Sequence, residues 1–336
     1  MMMGLEDSLL LAAGFILAGI VVLLFGGDML IRGAASVAKR AKIPPLIVGL
    51  TIVAFGTSAP ELVVSVDAAL SGAPGLALGN IVGSNIANVL FVLGLPALVG
   101  VIGTQTRGVK RNAMFALLAG SALIIVSRDG VITMMEGALL LGALLVFIAL
   151  MAMSAMKAKD DPLLAEVAEL EAAAAKGSML GVIVALIVGL IALPIGAHMI
   201  VTGGTAAAGL LGVSDAVIGL TALAIGTSLP EFATVVAAVM RKQGDLAIGN
   251  VLGSNVFNVF AVGGATGLAA GLTNTALPVP EQFMAFDFWV MLGASALLAL
   301  LILAGRNIGK LAGMLFFGGY VAYIAALVWM NPLQIP

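Results

Sequence analysis

The segment GTSAPE occupies residues 56–61, and GTSLPE occupies residues 226–231. Both segments stand in stretches so apolar that we expect them to lie within a lipid bilayer. An ionisable side chain at the centre of a membrane costs about 2.5–3.5 kcal/mol on insertion scales, and its presence there indicates a functional role by default. The recurrence of Glu61 as Glu231 therefore places one buried carboxylate in each half of the chain.

The similarity between the two halves extends well beyond these six residues. At a constant offset of 170 residues, positions 49–94 align with positions 219–264 without a gap, and 22 of the 46 pairs are identical. Upstream, GGDMLIRG from Gly26 aligns with GAHMIVTG from Gly196. The chain is therefore an internal duplication, with one repeated motif at 49–94 and the other at 219–264.

The composition indicates the environment of the chain. Of 336 residues, 62% are hydrophobic and 10% are charged, and the mean hydropathy is +1.21. Soluble domains carry about 25% charged residues, so we predict an all-α polytopic membrane protein. The absence of cysteine excludes disulfides and thiolate metal sites, and the single histidine, His198, excludes a histidine-rich metal centre. Windows of about 20 apolar residues predict ten transmembrane helices, at 8–31, 44–71, 75–101, 111–127, 131–155, 179–203, 214–240, 245–271, 283–304 and 309–330.

Each half contains five predicted spans. Because five is odd, the second copy enters the membrane in the opposite direction, and the copies form inverted-topology repeats, an arrangement typical of secondary transporters with a site near the midplane. With the N-terminus outside, 14 of the 15 lysines and arginines fall in cytoplasmic loops, and only Arg128 does not, as the positive-inside rule favours. We therefore predict an N-out/C-out topology with repeats at 1–156 and 179–336, joined by a cytoplasmic linker at 157–178.

The first repeated motif carries oxygen atoms on one helix face. Thr57 and Ser58 precede Glu61 by four and three residues, and these spacings bring the three side chains together. Pro60 has no N–H, so the carbonyl of Gly56 loses its helical partner. An unpaired carbonyl in a bilayer is costly unless something binds it, and a cation would do so. The second copy repeats the pattern with Thr227, Ser228, Pro230 and Glu231.

A second motif follows in each copy, GNIVGSNIAN at 79–88 and GNVLGSNVFN at 249–258. Ser84 and Asn88 lie one helical turn apart, as do Ser254 and Asn258, so each pair offers neutral oxygens to one face. Hard oxygen ligands suit Na⁺ and Ca²⁺. The two glutamates supply a charge of −2, which one Ca²⁺ or several Na⁺ neutralise, and competition for this charge is a physical basis for exchange.

The other small and polar residues of these motifs have simpler interpretations. Close packing between helices explains the glycines, and capping or interhelical hydrogen bonds explain the remaining asparagines better than ligation does. Asp67, six residues after Glu61, is expected at the mouth of the site or on the surface. The residues interpreted in this way are Gly79, Gly83, Gly249, Gly253, Asn80, Asn85, Asn250 and Asn255.

The pairs GTSAPE…GNIVGSNIAN and GTSLPE…GNVLGSNVFN resemble the α1 and α2 repeats of the cation/Ca²⁺ exchanger superfamily, and within it the prokaryotic Na⁺/Ca²⁺ exchangers. The resemblance covers essentially the whole chain. It implies that the second, third, seventh and eighth helices surround four cation positions, while the first and sixth slide across them during alternating access. The ligands that it implies are Thr57, Ser58, Glu61, Ser84, Asn88, Thr227, Ser228, Glu231, Ser254 and Asn258, with the backbone carbonyls of Ala54 and Ala224.

The resemblance also implies an activity, that of a non-enzymatic antiporter in a prokaryotic inner membrane that expels Ca²⁺ as Na⁺ enters. Several members, including K⁺-dependent ones, carry aspartate where this chain has Asn258, which argues against K⁺ transport. The H⁺-coupled branch typically reads GNATE in place of GTSAPE, which favours Na⁺ as the coupling ion. We expect Na⁺, Ca²⁺ and the lipid bilayer as partners, with no resident cofactor, no nucleic acid and no obligate protein partner.

Three alternatives remain open at the level of the sequence. A Ca²⁺/H⁺ antiporter would protonate Glu61 and Glu231 in turn. A cation channel is disfavoured, because channels usually place their filter on a symmetry axis along the pore, whereas inverted repeats place the axis in the membrane plane. An intramembrane serine hydrolase would need a base near Ser58 or Ser228, and the one histidine, His198, lies in a different predicted span.

Overall fold

The computed structural model describes residues 8–41, 43, 45–106, 108–159, 178–210, 225–272 and 276–330, which are mostly helical. Two strands of two residues each, β1 (Val131–Ile132) and β2 (Leu277–Pro278), pair antiparallel. They correct the all-α prediction in a small detail, because hydropathy windows do not detect such short elements. The helices are α1 (Leu9–Ala41), α2 (Gly49–Thr57), α3 (Ala59–Leu70), α4 (Pro74–Leu98), α5 (Val109–Val126), α6 (Met134–Lys159), α7 (Met179–Leu210), α8 (Leu229–Met240), α9 (Gly244–Leu272), α10 (Phe283–Leu303) and α11 (Lys310–Met330).

Eight of the described helices are long and apolar enough to cross a membrane, and nine spans result when the bent pair α2–α3 counts as one. The predicted seventh span, 214–240, is described only from residue 225, and α8 with its 12 residues is too short to cross alone. Residues 211–224 and linker residues 160–177 lie outside the described residues. The total of ten spans and the N-out/C-out orientation therefore stay predictions.

The first helix is longer than the hydropathy windows indicate. It continues to Ala41, whereas the predicted span stops at residue 31, before the charge of Arg32. A charge interrupts a hydropathy window but not a helix. The 33 residues of α1 rise about 50 Å, against about 30 Å of hydrocarbon. Lys39 and Arg40 stand in its last turn. Basic side chains are stabilising there, because the C-terminus of a helix carries partial negative charge.

The chain breaks its helical path just before each glutamate. Ser58 and Ser228 have φ, ψ angles of −84°, 4° and −85°, 1°. Pro60 and Pro230 are the second residues of α3 and α8, where a missing N–H is tolerated. α2 and α3 meet at an angle of 47°. The interruption expected from the two prolines is thus present in both copies, and it places a helix start inside the protein.

Helices α4 and α9 form the centre of the fold, and every residue of α9 from 246 to 257 is buried. Each contains a π-helical turn, at Asn88–Leu93 in α4 and at Asn258–Gly263 in α9. The two turns begin at the same position of the repeat. π-Helical turns are rare and occur frequently at functional sites. The two asparagines predicted as ligands therefore start a local widening of their helices.

Helices α1 and α7 pack against each other through glycines spaced seven residues apart. A Cβ atom at Gly19 would lie 2.9 Å from the carbonyl oxygen of Gly196, and one at Gly189 would lie 2.9 Å from the carbonyl oxygen of Gly26. At the repeat offset these two contacts are the same contact with the copies exchanged. Small residues allow such close approach of two backbones in a membrane.

The α3–α4 and α8–α9 connections are the same left-handed turn. Gly72 has a φ of +73°, and Lys242, at the equivalent position, has a φ of +58°. In each turn the N–H of the following residue donates to the carbonyl five residues earlier at 2.8 Å. Glycine adopts this conformation freely, whereas a residue with a Cβ incurs a cost of about 1–2 kcal/mol. Lys242 is therefore strained where Gly72 is not.

We expect Lys242→Gly to raise the free energy of unfolding by about 0.5–1 kcal/mol, because the strain energy that is relieved in the folded state exceeds the conformational entropy that glycine adds to the unfolded chain. The reciprocal change, Gly72→Lys, should lower it by a similar amount, although no described atom crowds that position. Thermal unfolding in detergent measures both variants. A shift of the same sign in the two proteins would contradict the assignment of strain.

Candidate cation-binding site

The two glutamates occupy equivalent positions in the first turns of α3 and α8. Neither Glu61 nor Glu231 exposes any surface. The N-terminus of a helix carries partial positive charge and so favours a carboxylate nearby. Breaking the helix before each glutamate therefore creates the helix start that stabilises its negative charge.

Residues of both copies meet at Glu231. Ser58 Oγ donates a hydrogen bond to Glu231 Oε1 at 3.2 Å, and Ser254 Oγ donates to the same oxygen at 3.4 Å. Thr57 Oγ1 lies 3.4 Å from Ser254 Oγ. The helix break of the first copy thus directly contacts the carboxylate of the second.

The same contacts with the copies exchanged are formed only in part. Ser84 Oγ lies 3.4 Å from Thr227 Oγ1, which reproduces the contact between Thr57 and Ser254. By contrast, Ser228 Oγ has no hydrogen-bond partner among the described residues, although its counterpart Ser58 has one. Glu231 therefore accepts hydrogen bonds from serine hydroxyls, whereas Glu61 accepts none among the described residues.

Several buried oxygens of this cluster lack a hydrogen-bond partner among the described residues. Buried polar atoms are almost always paired, so a group of unpaired oxygens requires an explanation. Carboxylate, hydroxyl and amide oxygens are the ligands that hard cations prefer, and a cation within the cluster would satisfy them. The unpaired oxygens are Glu61 Oε1 and Oε2, Glu231 Oε2, Ser228 Oγ, Asn88 Oδ1 and Asn258 Oδ1.

The two candidate asparagine ligands have different surroundings. Asn88 Nδ2 donates to Asn255 Oδ1 at 3.1 Å, and this hydrogen bond joins α4 to α9. Neither amide atom of Asn258 has a partner among the described residues. Both side chains are fully buried. Asn258 is therefore the amide of the pair that retains both its donor and its acceptor capacity.

Of the two candidate backbone ligands, the carbonyls of Ala54 and Ala224, only that of Ala54 lies among the described residues. The Ala54 carbonyl accepts the Ser58 N–H at 3.0 Å, and Thr57 Oγ1 lies 3.3 Å from the same oxygen. A cation at this oxygen would compete with the threonine hydroxyl. Ala224, its counterpart, lies outside the described residues.

Two asparagines for which capping or interhelical hydrogen bonds were predicted stand beside the candidate ligands. Asn80 Oδ1 accepts from Thr227 Oγ1 at 2.9 Å, and Asn250 Oδ1 accepts from Thr57 Oγ1 at 3.3 Å. Asn85, by comparison, donates to the Ile81 carbonyl of its own helix at 2.7 Å. Identical recurrence in both motifs was the available signal, but it does not separate a ligand from a neighbour of a ligand.

The serine hydrolase alternative has no support in the described geometry. His198 is exposed on α7, and its Nε2 lies 3.5 Å from Thr202 Oγ1 on the same helix. Ser58 donates to Glu231, and Ser228 has no partner among the described residues. Asp67 is exposed near the end of α3, as expected.

The chain also matches a known protein family. The family model described as "Sodium/calcium exchanger protein" matches the chain over residues 11–153 and again over residues 181–329. The chain belongs to the sodium/calcium exchanger family. The resemblance drawn from the motifs is therefore confirmed.

Members and relatives of the family align over nearly the whole chain. It is 34% identical over 333 residues to the inner membrane protein YrbG of Escherichia coli (strain K12), covering 97% of this chain and 100% of that protein. It is 30% identical over 352 residues to the sodium/calcium exchanger MaX1 of Methanosarcina acetivorans, covering 94% and 98%. A solved structure of the sodium-calcium exchanger NCX_Mj, soaked with 2.5 mM Na⁺ and 0.1 mM Ca²⁺, matches with a TM-score of 0.77 at 33% identity, covering 94% and 98%.

These matches establish the general class of the protein. It is an integral membrane protein with the fold of NCX_Mj, and it belongs with transporters rather than enzymes. Membership of the sodium/calcium exchanger family implies Na⁺ and Ca²⁺ as substrates. The buried cluster of oxygens around Glu61 and Glu231 is the candidate site for such cations.

Proposed function

We propose that this protein exchanges Na⁺ for Ca²⁺ by alternating access, with both ions binding in turn to the cluster around Glu61 and Glu231. The observation that carries the proposal is the set of six unpaired oxygens in that cluster, three of which belong to the two fully buried carboxylates. The Ser58 hydroxyl of the opposite copy already reaches Glu231, so a cation there would contact both halves of the chain. The proposal needs no resident cofactor, since both metal ions are cargo.

Charge balance explains why such a site would couple the two fluxes. Two carboxylates carry a charge of −2, and moving them without cations through the low-dielectric membrane interior is strongly unfavourable. One Ca²⁺ or several Na⁺ remove that cost. The site therefore changes its exposure when loaded with either ion and resists the change when empty, which is the condition for obligatory exchange.

The proposal extends to the topology and location of the chain. We place ten helices in two inverted repeats, 1–156 and 179–336, with both termini outside the prokaryotic inner membrane and the linker 157–178 in the cytoplasm. The exchanged contacts Gly19–Gly196 and Gly189–Gly26 support this relation between the copies. An inward Na⁺ gradient would then drive Ca²⁺ out of the cell.

Asn258 supports a reaction that does not require K⁺. Its amide is neutral and fully buried, with neither amide atom paired among the described residues. A neutral ligand at this position keeps the formal charge of the site at −2 and leaves no third carboxylate for an additional monovalent ion. We therefore assign Na⁺ and Ca²⁺ as the exchanged pair, without cotransport of K⁺.

The test is uptake of radioactive Ca²⁺ into proteoliposomes that contain the purified full chain. Vesicles preloaded with Na⁺ should accumulate Ca²⁺, and vesicles with only an outward H⁺ or K⁺ gradient should not. External K⁺ should leave the rate unchanged. Uptake driven by the H⁺ gradient would instead identify a Ca²⁺/H⁺ antiporter, and Ca²⁺ entry that needs no counter-ion would identify a channel.

A further inference from the structure

Two buried asparagines connect the copies at the candidate site. Asn80 on α4 and Asn250 on α9 stand one helical turn before Ser84 and Ser254, and their side chains are almost fully buried. Thr227 Oγ1 donates to Asn80 Oδ1 at 2.9 Å, and Thr57 Oγ1 lies 3.3 Å from Asn250 Oδ1. At the repeat offset these are the same two groups with the copies exchanged. Thr57 Oγ1 also lies 3.3 Å from the Ala54 carbonyl oxygen, and the bond from Thr227 to Asn80 is the shorter of the two.

The orientation of the Asn80 amide is determined by its other contacts. Asn80 Nδ2 donates to Ser65 Oγ at 2.9 Å and to the Glu61 backbone carbonyl at 3.1 Å. An asparagine amide has two N–H donors and one carbonyl acceptor. Because the donors are used on α3, the acceptor must face away from α3, towards Thr227.

Asn250 is oriented in a comparable way through a hydroxyl. Asn250 Nδ2 donates to Thr234 Oγ1 at 2.7 Å, and Thr234 Oγ1 donates to the Glu231 backbone carbonyl at 2.8 Å. The acceptor oxygen of Asn250 is thereby directed at Thr57. Each asparagine thus links the glutamate-bearing helix of its own copy to the threonine of the other copy.

The direction of these hydrogen bonds matters for cation binding. A threonine hydroxyl has one proton and two lone pairs. When the proton is donated to an asparagine oxygen, the lone pairs are turned away from it and can coordinate a cation, whereas a hydroxyl that points its proton at the cation repels it. On the basis of the function proposed above, we infer that Asn80 and Asn250 are positioning residues that orient the hydroxyls of Thr227 and Thr57 for cation binding.

Partners that orient a metal ligand typically change metal affinity or activity by about 10–100-fold when they are removed. We therefore expect Asn80→Ala to weaken equilibrium binding of radioactive Ca²⁺ to the purified full chain by about 10–100-fold. Asn85→Ala is the matched control, because Asn85 is buried on the same helix but donates to its own backbone. It should change Ca²⁺ affinity by less than about 3-fold, well below the effect of removing an orienting partner.

A double-mutant cycle separates orientation of the threonine from simple packing. If Asn80 acts through Thr227, then Asn80→Ala should have little further effect in a Thr227→Val protein, since groups that act on each other are not additive. In a Thr57→Val protein, which loses a hydroxyl that is not bonded to Asn80, Asn80→Ala should keep its full effect. The exchanged cycle, Asn250→Ala with Thr57→Val, provides the same test if the Asn80 variant does not fold.

The outcomes distinguish this inference from the proposed function. An effect of Asn80→Ala that is equally large in the Thr227→Val and Thr57→Val proteins would overturn the inference and leave the exchanger intact. Wild-type protein that binds no Ca²⁺ would remove the proposed function, and the inference with it. Ca²⁺ binding with the expected cycle but with transport driven by H⁺ would retain the positioning role and change only the coupling ion.

Discussion

Glu61→Gln and Glu231→Gln should each reduce Na⁺-dependent Ca²⁺ uptake by more than about 100-fold. Removing one partner of a buried charge pair costs about 3–5 kcal/mol, and each 1.4 kcal/mol is a tenfold loss of affinity. The glutamates are completely buried, so water cannot replace the lost interaction with the cation. Glutamine has nearly the same shape as glutamate, and the loss therefore reports the charge rather than the packing.

The measurement is uptake into Na⁺-loaded proteoliposomes at equal amounts of folded protein. Asp67→Asn is the matched control, since Asp67 stands on the same helix as Glu61 but is exposed. Its removal should lower the rate by less than about 5-fold, because exposed charge pairs contribute about 0.2–1 kcal/mol. Uptake that survives in either glutamine variant at more than a tenth of the wild-type rate would show that the carboxylate concerned is not a principal ligand.

The two glutamine variants should differ in stability without cation. Glu231 Oε1 accepts hydrogen bonds from Ser58 and Ser254, whereas neither carboxylate oxygen of Glu61 has a partner among the described residues. Charge repulsion inside the cluster falls by the same amount in both variants. Only Glu231→Gln weakens existing hydrogen bonds, because an amide oxygen accepts them without the charge of a carboxylate. This asymmetry follows from the relative positions of helices and not from the repeated motif, in which the two glutamates are equivalent.

The spacing of the motifs was sufficient to place the candidate ligands on particular helix faces, because helical periodicity is a local property. Thr57, Ser58 and Glu61 could be grouped from the sequence alone, and the break at Pro60 followed from its missing N–H. The pairing of Ser58 with Glu231 could be expected only in outline, from the duplication. Which of the two equivalent serines reaches a glutamate depends on helix displacements that no local pattern encodes.

Other features escaped prediction for different physical reasons. The length of α1 was underestimated because a charge such as Arg32 ends a hydropathy window without ending a helix. The strained turn at Lys242 was not visible, since lysine gives no sign of a positive φ. The bonds from Asn80 and Asn250 to the threonines join segments far apart in the chain. The number of spans and the linker stay predictions, because part of both lies outside the described residues.

The close packing expected of the glycines can be located for Gly253. A Cβ atom there would lie 2.6 Å from the Leu50 carbonyl oxygen and 2.6 Å from Ala54 Cβ, so α9 rests directly on the backbone of α2. The equivalent partners of Gly83 in the first copy, residues 220 and 224, lie outside the described residues. Gly253 is followed by Ser254, which donates to Glu231. A displacement of α9 at Gly253 would therefore move a hydroxyl of the cluster.

Gly253→Ala should consequently lower Ca²⁺ uptake by about 100-fold while the protein still folds. Overpacking by one methyl group costs about 1–3 kcal/mol, less than the about 5–15 kcal/mol by which folded proteins are typically stable. A misplacement of about 1 Å at a functional group, by contrast, can reduce activity by about 100-fold. Gly263→Ala, ten residues further along α9, is the control, because its Cβ would meet its nearest neighbours at an ordinary 3.7 Å. Uptake and thermal unfolding are measured together on both variants. If Gly253→Ala lost stability and kept its transport rate, the contact between α9 and α2 would serve folding alone. The position of Ser254 beside Glu231 would then not be required for transport.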